Sequence, residues 1–173
     1  MRKTAVLIAL AAALISPARA AAQTPPAEPA RVRDVLPSEG LIRASVARVR
    51  DQAALNAHYY LADESVLELN GKAEGVFARY RIGGGQALLL AIGYPDEATA
   101  ERVYGRFGRD FFGDAFDPKA ARFLDELETG DFAGSFRARS FVVFVLEAPD
   151  RKSGDALLRR LEKKAHTLIK ETP

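Results

Sequence analysis

"LLLAIGYPDEATAERVYGRF", residues 88–107, is answered fifty-four residues later by "VVFVLEAPDRKSGDALLRRL", residues 142–161. Each copy is an apolar run, a Pro-Asp break and an amphipathic segment. The run is oily at odd and even positions alike, as in a strand covered on both faces. Proline cannot donate to a ladder and so ends it. The aspartate that follows, Asp96 or Asp150, is a favoured helix N-cap. Apolar residues then recur at three- and four-residue steps: Ala100, Val103, Tyr104, Phe107 and Phe111 in the first copy, and Leu157, Leu158, Leu161, Ala165 and Leu168 in the second. That spacing gathers them into one buried helical stripe.

A strand precedes each apolar run. Val76, Ala78, Tyr80 and Ile82 alternate with Phe77, Arg79 and Arg81, and Gly83-Gly84-Gly85 supplies a turn with positive-φ freedom. "DFAGSFRARSFVVFVLEAP", residues 131–149, repeats the hairpin. The prediction is an α+β fold: an antiparallel sheet built from two strand–strand–helix units, 76–112 and 131–170, with the helices packed on it. Across residues 86–107 the ungapped match keeps only Pro95/Pro149, Asp96/Asp150 and Arg106/Arg160 identical, too few to establish a duplication. Between the units, Asp117-Pro118 reads as an N-cap with proline at the first helical position. It predicts a helix over 119–128 that buries Ala120, Leu124 and Leu127 and stops at Gly130. Upstream, a turn at 37–40 leads to a first strand over 41–49, and Asp51 caps a short helix over 52–56. Residues 58–75 fit either a helical turn capped by Asp63, carrying Val66, Leu67 and Leu69, or a strand.

The N-terminus speaks to location. Arg2 and Lys3, the apolar stretch 4–15 and Ala18-Arg19-Ala20 make a signal peptide over residues 1–20, with cleavage after Ala20 or Ala22. The apolar run is shorter than the about 20 residues of a spanning helix, so no transmembrane segment is expected in the mature chain. Pro- and Ala-rich residues 21–33 read as a flexible linker, and 34–173 as a single domain that is periplasmic or secreted. Losing Arg2, Lys3 and Arg19 takes the 25 basic residues to 22 against 23 acidic, a net charge of −1. Such a chain has no global field for a polyanion, so nucleic-acid binding is not expected. With no cysteine, thiolate metal sites, a Cys nucleophile and disulfides are excluded, and burial alone must hold the fold together.

"LPSEGLIRASVARV", "GKAEGVFARYRIGGGQALLLAIGYPDEATAERVYGRF" and "SFVVFVLEAP" together resemble the C-terminal half of an exported bacterial family, domain-of-unknown-function family 6599, over most of residues 35–165. The preceding half of that family, with its "INGxAE"-like helix, is echoed only by "LNGKAEG" at 69–75. The resemblance implies an exported α+β domain. It implies no activity and no site residues.

Chemistry-bearing patterns are sparse. Gly83–Gly85 is followed by Gln86 and a strand rather than by the Lys-Ser/Thr and helix of a phosphate loop. His58 and His166, the only histidines, stand far apart in sequence and without the spacing of zinc ligands. Asp110, Asp114 and Asp117 lack the alternating ligand loop of calcium sites. Glu64 and Glu68 stand at i and i+4, a spacing open to acid–base pairing or to an exposed acidic face. Arg159, Arg160, Lys163, Lys164 and Lys170 make the last helix basic, either to dock an acidic partner or as a solvated face. Phe77, Arg79 and Arg81 share one strand face that either holds a planar or anionic ligand or lies beneath a covering element. No cofactor, metal or catalytic set is expected. The expected role is a non-catalytic exported module that binds a protein partner or a small ligand. The rival is a hydrolase using His58 with Asp63 or Glu64.

Overall fold

The structure, a computed structural model, describes residues 32–60 and 66–171. Its elements are β1 (Ala47–Asp51), α1 (Gln52–Asn56), β2 (Asn70–Ile82), β3 (Gly85–Gly93), α2 (Glu97–Phe112), β4 (Phe123–Glu126), β5 (Phe132–Ala138), β6 (Phe141–Ala148) and α3 (Arg151–Glu171). Three single-turn 3-10 segments, Val32–Val35, Arg43–Ser45 and Gly113–Ala115, complete them. Six antiparallel strands form one sheet in the order β1-β2-β3-β6-β5-β4, with helices packed against it: an α+β fold. The predicted signal peptide and most of the predicted linker fall outside the described residues. Val32 and Arg33, at the linker's expected end, instead belong to a packed turn in which Val32 is buried.

The two apolar runs, β3 and β6, are the central pair of the sheet. Leu90 lies opposite Phe144, its own counterpart at the fifty-four-residue offset, and Leu88 and Ile92 lie opposite Leu146 and Val142. Each hairpin thus contributes its oiliest strand to the seam, where burial on both faces is greatest. The flanking turns differ. Gly83 and Gly84, at φ +59° and +80°, close the β2–β3 hairpin, whereas Arg139 at φ +51° takes part in the β5–β6 turn.

The Pro-Asp breaks act as predicted. Asp96 accepts from the Thr99 amide at 2.7 Å and from the Thr99 hydroxyl at 2.9 Å. Asp150 does the same with Ser153, at 2.8 and 2.6 Å. These bonds satisfy amides that the first helical turn leaves without partners.

The helices then part company. Ala100, Val103, Tyr104 and Phe107 of α2 pack with Leu88, Leu90, Ile92, Val142, Phe144 and Leu146. Leu157, Leu158, Leu161 and Ala165 of α3 pack with Leu89, Ala91, Val143 and Val145. Successive strand residues face opposite sides, so α2 and α3 cover opposite faces. The switch is made at Glu147. Phe132 pairs with Ala148 and Gly134 with Val145, so Ala133 alone faces both Leu146 and Glu147. This is a β-bulge, and Glu147 within it takes a left-handed φ of +53°. The extra residue turns Ala148 to the α3 side, whereas the unbulged first copy keeps Tyr94 on the α2 side.

Two sequence expectations are corrected. The helix predicted over 119–128 is absent. Asp117 accepts from the Lys119 amide at 2.9 Å and closes only a turn, after which β4 pairs with β5. Phe123 and Leu124 there serve opposite faces, Phe123 against the α2 core and Leu124 against the α3 core, which a strand can do and a helical stripe cannot. The strand expected over 41–49 is broken by the 3-10 turn Arg43–Ser45: Leu41 makes an isolated bridge with Tyr80, and β1 starts at Ala47.

Candidate functional site

The residues that the sequence singled out do not converge. His58 is exposed, its ring stacked on buried Phe77 at 5.1 Å with planes 14° apart. No described side chain hydrogen-bonds or ion-pairs with its imidazole, and Asp63 and Glu64 lie outside the described residues. Glu68 is held by both guanidinium nitrogens of Arg102. That bond keeps its carboxyl below the usual carboxylate range. His166 stands on α3, 4.0 Å from Glu162 and mostly exposed. Asp110 lies 3.8 Å from Arg106, and Asp114 sits in the third 3-10 turn. Among the described residues no three His, Asp or Glu side chains gather into a metal site. Tyr59 is half-buried on the α2 side. Burial first, then the carboxylates of Glu147 and Asp131, raise its pKa, so the phenol stays protonated.

The basic last helix is partly neutralised. Arg159 pairs with Asp155 at 2.8 Å and Arg160 with Glu39 at 3.0 Å, while Lys163, Lys164 and Lys170 are exposed. On the other strand face, Phe77 is covered by His58, and Arg79 and Arg81 are open to solvent.

A different place does combine shape with unbalanced charge. On the α3 side of the sheet, at its β1 edge, a cleft of about 360 Å³ is lined by Val32, Arg33, Arg43, Val46, Arg48 and the β2 residues Glu74, Gly75 and Val76. Its construction follows from backbone bonding. The Ser45 hydroxyl donates to Ile42 O at 2.6 Å and accepts from the Arg79 amide at 2.8 Å, while the Ile42 amide donates to Arg79 O at 2.9 Å. Ile42 and Ser45 are thereby clamped to β2, and Arg43 between them lines the cleft. The Val32–Val35 turn forms the opposite wall, with Val32 against the strand β3 at Gly93. Arg33 and Arg43 also line a neighbouring groove that continues to Lys164.

Arg48 is neutralised by Glu74 across β1 and β2. Among the described residues, no carboxylate lies within ion-pair distance of Arg33 or Arg43, and both are exposed. Each exposed guanidinium contributes about 1 kcal/mol to a monoanion at contact distance in a water-like medium. Two such contacts fall well short of the about 8 kcal/mol of micromolar binding. Val32 and Val76 are already 4% and 3% exposed, so they offer little further apolar burial. The cleft therefore marks a sign of charge and a direction, and a tight ligand must extend beyond it.

Local sequence pattern does not point to these residues, since it places Arg33 in a linker and Arg43 in a strand. The available signal was density: five arginines fall within residues 31–50 against two acids, Asp34 and Glu39. No family model matches the chain, and no curated protein or solved structure matches it. Among the described residues, no helix is long and apolar enough to cross a membrane.

Proposed function

We propose that this protein is an exported, non-catalytic binding module, periplasmic or secreted, that holds an anionic partner protein or small ligand at the cleft beside β1. The observation that carries the reading is the pair of guanidiniums, Arg33 and Arg43, which have no carboxylate partner among the described residues and stand over a valine floor. Export is supported by the N-terminal signal pattern. The direct test is thermal unfolding with citrate as a multivalent carboxylate probe. Citrate is expected to raise the midpoint of the native protein, and the rise is expected to vanish in the Arg33→Ala/Arg43→Ala double variant. Equal shifts in both proteins, or none in either, would reject this cleft. For location, cell fractionation that recovers only unprocessed chain in the cytoplasm would end the export reading.

The hydrolase alternative has weaker support. A histidine base is held by a hydrogen-bonded orienting group, and no described side chain bonds to the His58 imidazole. The discriminating variant is His58→Ala, which should leave citrate binding untouched.

A further inference from the structure

Resting on the cleft reading above, we infer that the β1 edge takes an extended acidic segment of a partner protein as a seventh strand, its carboxylates meeting Arg43 beside the cleft. The backbone fixes which groups are on offer. Arg79 and Arg81 of β2 direct their amides toward the β1 side, to Ser45 Oγ at 2.8 Å and Gly40 O at 2.8 Å. In an antiparallel ladder the residues that bond to one neighbour alternate with those that bond to the other. Phe77 and Gly75 therefore bond toward β1 as well, and their partners Ala47 and Val49 bond inward. Arg48, between them, turns its amide and carbonyl to the open side. β1 is the last strand of the sheet, and no described group bonds there.

An unpaired edge of this kind is a template for strand addition. The side chains choose the occupant. The Arg48 side chain lies on the α3 side of the sheet, where Arg43 and Val46 line the cleft, whereas Ala47 and Val49 belong to the α2 side. A ligand alternating acidic and apolar residues would set its acids beside the arginines and its apolar side chains over Ala47. A second copy of this chain fits poorly. A register that matches the outward-bonding residues of β1 to those of another β1 opposes arginine to arginine, and like charges directly opposite are destabilising. The same arginines could simply blunt the edge, so that outcome is built into the test.

The probe is a dye-labelled, end-capped peptide of about six residues alternating Glu and Val. Its controls are the same peptide N-methylated at alternate residues, to remove backbone donors, and a Lys-Val peptide. Anisotropy is expected to show salt-sensitive binding of the unmethylated acidic peptide, weakened at least about tenfold by N-methylation and by Arg43→Glu. No binding of the Lys-Val peptide is expected. If both acidic peptides bind equally and Arg43→Glu weakens both alike, the cleft stands and strand addition falls. If neither binds while citrate binds at the cleft, the edge arginines only prevent pairing and the inference fails. Equal binding of the Lys-Val peptide would overturn charge selection.

Discussion

Gly108 shows how tightly the α2 core is specified. A Cβ built there would overlap the ring of Phe116. That ring packs edge-on to Tyr104 at 5.1 Å and stacks on Phe112 at 5.8 Å, so it has little freedom to retreat. Gly108→Ala places a better helix former in α2, yet overpacking outweighs that gain. We expect a loss of about 1–3 kcal/mol, read as a lower urea midpoint with an unchanged slope. Electrostatics at this scale predicts acid sensitivity. Glu68, Asp96 and Asp150 all titrate below their ordinary values, Glu68 through the bond from Arg102 and the two aspartates through bonds from Thr99 and Ser153. A carboxyl depressed in the folded state adds stability that is complete above its unfolded pKa. That stability is lost as pH falls through the folded one. The midpoint temperature should therefore hold from neutral pH down to about 5 and fall below about 4. Glu68→Gln should lower the neutral plateau and flatten the acid slope. An unchanged slope would remove Glu68 from this account.

Among the elements, Glu147 is the informative case. A left-handed backbone costs a non-glycine residue roughly 1–2 kcal/mol, and Glu147 adopts it at φ +53°. Glu147→Gly should keep the fold and raise stability by up to about 1 kcal/mol, whereas Glu147→Val should lower it. Calorimetry of the pair checks the sign. This bulge was not legible in the sequence, because glutamate carries no signal for positive φ and the aligned Gly93 sits where no bulge forms. The central hairpins were legible, since period-two alternation, a glycine turn and Pro-Asp caps agree at each level. The segment over 117–130 misled because Asp-Pro followed by leucines is also how a helix starts. What decided for β4 was the open side of β5, six to twelve residues downstream, a pairing that helical periodicity does not register. Arg43 went unread for a related reason: its place in the cleft depends on Ser45 bonding to Arg79, thirty-four residues away.

The whole molecule is a sheet between two covers, and the covers share the same strands. Phe107 belongs to one core and Leu158 to the other, each buried. Leu158→Ala should cost about 2–5 kcal/mol and Phe107→Ala about 3–5 kcal/mol. Because both cores are set on the backbone of β3 and β6, each variant should lower one common transition, with far- and near-ultraviolet circular dichroism coinciding. Two separated transitions would mean that the layers unfold independently. With α2 and α3 on opposite faces, the perimeter is what remains for recognition, and the cleft beside β1 lies on it.

The pairing of β3 with β6 also sets a timetable. A ribosome releases Leu88–Ile92 long before Val142–Leu146 exists to meet it, so every nascent chain passes through a stage with its stickiest edge unpaired. Fragments that stop short of β6 should therefore precipitate, and whatever holds the growing polypeptide open must do so until β6 has emerged.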